Sequence, residues 1–154
     1  MELLHKEITD KIIRAFYNVY NELGFGFLEK VYRNALFLEL NAMRLICEKQ
    51  KQVKVNYKEQ IVGEYYADLI VIGKVILELK AAEIIIEEHE KQLINYLKAT
   101  DIEVGLLLNF GKKADFKRKI FTNDKKKIKS LPAAGSRVNL LNPCLPQAGV
   151  LSAC

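Results

Sequence analysis

The chain has 154 residues, half of them hydrophobic and 28% charged, with a net charge of +5. These values fit one globular domain with a real core. No apolar run approaches the roughly 20 residues that span a bilayer, and the N-terminal residues lack a signal-peptide pattern, so a cytoplasmic protein is expected. Cys47, Cys144 and Cys154 show no CxxC spacing, which supports neither a disulfide framework nor a zinc site.

In chain order, residues 5 to 23 carry Ile8, Ile12, Ala15, Phe16, Val19 and Leu23 at helical spacing, with Gly24 as a C-cap. A second helix is expected from about Leu28 to Met43, with Val31, Ala35, Leu38 and Ala42 on its apolar side. Gln52 to Tyr57 alternates polar and apolar as a half-exposed strand does, and Lys58-Glu59-Gln60 reads as its turn. Residues 61–72 and 74–80 make two more strands joined at Gly73, apolar on both faces toward their ends and therefore central in the sheet. Residues 85–99 return to helical spacing through Ile86, Leu93, Ile94 and Leu97. Glu103 to Phe110 is a buried strand, parallel to a neighbour because it follows a crossover helix. Phe116 to Phe121 reads as a basic edge strand. Residues 112–129 hold nine Lys or Arg against two Asp, which favours a polyanionic partner. Residues 131–154 contain all three prolines and no acid, and a disordered or non-native tail is expected there after a domain spanning 1–130.

The expected class is α/β: a central mixed β-sheet flanked by helices, in the order ααβββαβ(β). Three charged residues interrupt its apolar centre: Asp68, and ten residues later Glu78 and Lys80. A buried carboxylate costs several kcal/mol unless compensated. If the hairpin loop is Ile72-Gly73-Lys74, paired positions sum to 146 and Asp68 faces Glu78, with Cβ atoms about 4.5–5.5 Å apart. Mg²⁺, at about 2.1 Å from carboxylate oxygens, would suit that pair. A two-residue loop would send Asp68 to the other face. Lys80 shares the face of Glu78, where an ammonium can orient a nucleophile or offset developing charge. A plain ion pair between Lys80 and either acid explains the pattern equally well. Glu29 complements the positive end of the second helix. His89, Gln92 and Tyr96 share one face of the third helix, which a solvent-facing polar stripe also explains.

Gly26-Phe27-Leu28-Glu29-Lys30-Val31-Tyr32 matches the GxxExxY signature. Together with Tyr66-Ala67-Asp68-Leu69, Glu78-Leu79-Lys80-Ala81, the segment from His89 to Leu97 and Val104 to Gly111, it makes residues 5–122 resemble the GxxExxY proteins of the PD-(D/E)XK nuclease superfamily. The resemblance implies a restriction-endonuclease-like fold. It also implies Mg²⁺ or Mn²⁺ held by Asp68, Glu78 and the Leu79 carbonyl, with Lys80 activating water. Glu29 and Gln92 would support catalysis and Tyr96 would contact substrate. The proline usual before the Asp is replaced by Ala67.

The function expected is metal-dependent hydrolysis of DNA phosphodiester bonds, with Lys112, Lys113, Lys117, Arg118 and Lys119 holding the backbone. The alternative is a nucleic-acid- or protein-binding module on the same fold that does not cut. A homodimer would supply a second active site for duplex cleavage.

Overall fold

The computed structural model describes residues 3–127, so the expected tail, Cys144 and Cys154 lie outside the described residues. The order is α1 (Lys6–Leu23), α2 (Glu29–Ala42), β1 (Cys47–Tyr57), β2 (Gln60–Val71), β3 (Val75–Lys80), α3 (Glu87–Lys98), β4 (Val104–Phe110) and β5 (Ala114–Ile120), then a short 3₁₀ turn, Asn123–Lys125. The five strands lie in sequence order, β1-β2-β3-β4-β5. β3 and β4 are parallel across the α3 crossover, and the other neighbours are antiparallel. Among the described residues no helix is long and apolar enough to cross a membrane.

Two apolar clusters sandwich the sheet. One joins α1 and α2 to residues such as Leu69, Leu77, Leu79, Leu106 and Leu108, and it includes Cys47, which is buried and apolar in role. The other packs Leu93, Tyr96 and Leu97 of α3 on Ala67, Ile70, Ile76 and Leu107. β3 and β4 are covered on both faces, which explains their near-continuous apolar sequence.

Helix α2 departs from the expected stripe. It buries Tyr32, Leu36 and Leu40, whereas Leu38 is 69% exposed. The helix carries two apolar rows, and the row with the larger side chains occupies the core because it removes more area from water.

Gly111, just after β4, lies against the loop that leaves β3. A Cβ there would stand 2.1 Å from the Ala82 carbonyl oxygen, a backbone atom that cannot swing aside. Gly111→Ala is therefore expected to destabilise the protein by about 3 kcal/mol, the upper range for overpacking, measurable as a lower urea midpoint. An unchanged midpoint would show that the 81–83 loop yields freely.

Candidate active site

The β2–β3 ladder pairs Val71↔Val75, Ile70↔Ile76 and Leu69↔Leu77. Every pair sums to 146, so the three-residue loop fixes the expected register and sets Asp68 opposite Glu78. Lys74 N–H closes the turn on the Val71 carbonyl at 2.9 Å, with Gly73 at φ 65°.

At the next step the carboxylates replace the backbone ladder. Asp68 N–H donates to Glu78 Oε2 at 3.1 Å. Leu79 N–H donates to Asp68 Oδ2 at 2.9 Å. Each acid thus bridges to the opposite strand, and the gap between β2 and β3 is lined by carboxylate oxygens. A strand residue projects its N–H and C=O to the same side, so the Leu79 carbonyl faces this gap as well.

The alternation of β2 slips here. Ala67 and Leu69 should share a face, yet Ala67 packs with the α3 cluster and Leu69 with the α1/α2 cluster. On β1 the pairing passes from Lys49↔Leu69 to Lys51↔Ala67, and the intervening Gln50 has φ 51°. A local irregularity of this kind re-aims one side chain, as bulges beside functional sites do. It leaves Asp68 reachable from both faces of the sheet.

From one face, Arg33 Nη1 of α2 donates to Asp68 Oδ1 at 3.1 Å in a half-buried ion pair. Arg33 was absent from the sequence reading, although it stands four residues after Glu29 and so shares its helix face. Glu29, exposed in the first turn of α2, acts on Glu78 through its charge. From the other face come Tyr96 and Gln92. Gln92 Nε2 donates to the Tyr96 hydroxyl at 3.1 Å. Burial, then the charge of Glu78, raise the Tyr96 pKa.

Glu78 is 4% exposed. Burial first, and then the Asp68 charge, push its pKa up to about 8, against the pull of the Asp68 N–H and of Lys80. A cation would relieve that penalty. Among the described residues no three His, Cys, Asp or Glu come together as a metal cluster, so the available donors are two carboxylates and one carbonyl. This is a hard-oxygen set suited to Mg²⁺ or Mn²⁺, which bind through one or two carboxylates and complete their shell with water.

The remaining expected site residues divide. His89 Nδ1 accepts from the Ile86 N–H at 3.3 Å and serves the start of α3. Lys112 pairs with Glu83 of the loop after β3 at 3.6 Å, and Lys113 follows it in the β4–β5 turn. The β5 residues point elsewhere. Lys119 pairs with Glu90 of α3, and Lys117 also acts on Glu90. Arg118 donates to the Leu4 carbonyl on the α1 side. Strand alternation sends these residues to opposite faces. Lys119 also lies opposite Gly105, four rows from the Asn109–Lys80 level, or roughly 13 Å down the sheet. Lys126 is spent on the Thr100 and Ile102 carbonyls. The basic block is thus dispersed, and Lys117, Arg118 and Lys119 do not join the carboxylates.

Two buried polar residues that sequence reasoning left without a role hold the site's walls. The Asn109 side chain accepts from Ala82 N–H and donates to Ala82 C=O, both at 2.9 Å, clamping the chain just after Lys80. Tyr32 is stacked on Phe110 at 4.3 Å. Its hydroxyl donates to the Gly24 carbonyl at 2.6 Å and accepts from Phe27 N–H at 3.2 Å. With Gly26 at φ 113°, this fixes the connector that delivers Glu29. Tyr32→Phe removes both bonds and is expected to cost about 1–3 kcal/mol, read as a lower melting temperature. An unchanged melting temperature would mean that water replaces the hydroxyl.

A solved structure titled "Crystal structure of SSO0001" shares this fold, with a TM-score of 0.51 at 18% identity over 78% of this chain. The present chain spans 60% of that one's length. No curated protein matches the chain. The family model of the PD-(D/E)XK nuclease superfamily matches residues 6–120. With a five-stranded mixed sheet between helices and an Asp–Glu–Lys centre in its middle strands, the chain belongs to the PD-(D/E)XK nuclease superfamily.

Proposed function

We propose that the protein is a divalent-metal-dependent nuclease that hydrolyses DNA phosphodiester bonds. The observation that carries this reading is the buried Glu78 facing Asp68, with Lys80 within electrostatic reach. Two opposed carboxylates in an apolar sheet repel each other and favour a cation. Asp68, Glu78 and the Leu79 carbonyl would hold Mg²⁺ or Mn²⁺, whose chemistry is to acidify water and stabilise negative charge on phosphate. Lys80 would orient the attacking water and offset charge as it develops. Glu29 would accept a hydrogen bond from the same water. Gln92 fixes the Tyr96 hydroxyl, which would contact the substrate backbone, and Lys112 and Lys113 would add phosphate contacts at the rim.

Within the superfamily, the GxxExxY resemblance gains support from the separate physical roles of Gly26, Glu29 and Tyr32. A homodimer would bring a second site to the other strand of a duplex.

The test is cleavage of plasmid and labelled oligonucleotides with Mg²⁺ or Mn²⁺, beside EDTA and Glu78→Ala. Cleavage that needs the ion and disappears in the variant supports the reading, and equal cleavage by both proteins refutes it. A non-cutting binding module has one observation in its favour: Arg33 already offsets the Asp68 charge without a cation. That reading expects DNA binding with no metal uptake.

A further inference from the structure

The α1–α2 connector and the loop after β3 enclose an open cavity of about 580 Å³ whose lining includes Phe25, Phe27, Leu28, Glu29, Ala81 and Lys112. Phe25, Phe27 and Leu28 are 56%, 47% and 71% exposed. Three neighbouring large apolar side chains left in water mark a surface that something covers. The Phe27 ring is pre-placed. Its backbone N–H is tied to the Tyr32 hydroxyl, and the ring stands edge-on to Tyr32 at 6.0 Å. The cavity adjoins the carboxylate site. Glu29 lines it and also acts on Glu78, and Ala81 directly follows Lys80. The cavity's charged lining is Glu29, Glu83 and Lys112, the last two paired at 3.6 Å.

An occupant must therefore present a flat, apolar face to the phenylalanines and extend to the cleavage centre. A nucleobase beside the scissile phosphate meets both conditions. A base inside a duplex has both faces stacked and its edge paired, so only an unpaired base can offer a face to Phe25 or Phe27. We infer that this cavity seats one unpaired base beside the scissile phosphate, making single-stranded or branched DNA a better substrate than blunt duplex. This rests on the nuclease reading above.

The test uses the full chain with Mn²⁺ on a single strand, a flap and a blunt duplex of one sequence. Abasic sites are placed in turn at the nucleotides flanking the cut. Wild type is expected to cleave the unpaired substrates about tenfold faster, the value of one stacked base. Phe25→Ala and Phe27→Ala should bring the ratio of single-strand to duplex cleavage toward one, and Phe27→Trp should retain it. One abasic position should slow wild type by the same factor and have little further effect in Phe27→Ala. Glu78-dependent cleavage with equal rates on all three substrates, or with no sensitivity to the abasic sites, overturns the base pocket alone and leaves the patch to a protein partner. Absence of Glu78-dependent cleavage on every substrate overturns the nuclease reading, and the pocket with it.

Discussion

Lys80→Ala is expected to slow metal-dependent cleavage by about 10³-fold, within the 10²–10⁴-fold typical of a positioned proton-transfer or charge-stabilising group. Metal uptake should survive, because Lys80 supplies no oxygen donor. Asp68→Asn should reduce cleavage further, since it removes the charge of one ligand. Asn offers one acceptor oxygen to the two donors that Asp68 serves, Leu79 N–H and Arg33, so some loss of stability is expected beside the loss of cleavage, less than in a variant with no acceptor. Asp68→Ala is the poorer probe: it also strands the Arg33 guanidinium in a half-buried place, where an unpaired charge is strongly destabilising. Lys80 also lowers the Glu78 pKa. Its removal should therefore move the acidic limb of the pH–rate profile to higher pH. Initial rates on a labelled oligonucleotide across pH 5.5–9 would measure both effects. Wild-type rates in Lys80→Ala would assign Lys80 a purely structural ion pair.

The second large effect concerns stability. Glu78 titrates near 8 in the folded chain and near 4.3 when unfolded. Between those values the folded state holds a proton that the unfolded state has released. Without metal, the Glu78 contribution is fully present below pH 4.3, declines as pH rises and is gone above about pH 8. The slope approaches about 1.4 kcal/mol per pH unit within that window. Glu78→Gln should flatten this dependence and stabilise the metal-free protein at pH 8. In the wild type at pH 8, Mg²⁺ or Mn²⁺ should restore stability by binding the ionised pair. Below pH 8 the ion must displace the proton, so affinity should rise about tenfold per unit up to that pH. Chemical denaturation at pH 5.5 and 8, with and without Mn²⁺, reads all of this. A wild type whose stability ignores both pH and Mn²⁺ would leave Asp68 and Glu78 as a structural cluster.

Much of the site was legible because the sheet has a strict period. Gly73 and the apolar run around it pointed to a two- or three-residue loop, and the structure has the three-residue one. That loop fixed the register, and the register brought Asp68 to Glu78. Gly26, Glu29 and Tyr32 stood out by spacing, but their mechanical roles did not: Tyr32 acts by reaching back to Gly24 and Phe27. The buried face of α2 was misread because Val31, Ala35, Leu38 and Ala42 are as periodic as Tyr32, Leu36 and Leu40. Only the neighbouring helix and sheet choose between the two rows.

By itself the sequence determined the elements, their order and the acids flanking the hairpin, since these follow from local periodicity and turn chemistry; the structure chose the three-residue loop that makes the acids meet. Tertiary structure decided the rest. It turned the chain at Asp68 so that Arg33 of α2 reaches it as the counter-charge while Tyr96 of α3 feels its charge. It placed Asn109 on the Ala82 backbone and scattered the basic block over two faces of β5. Those outcomes depend on contacts between residues far apart in the chain, which no local pattern encodes.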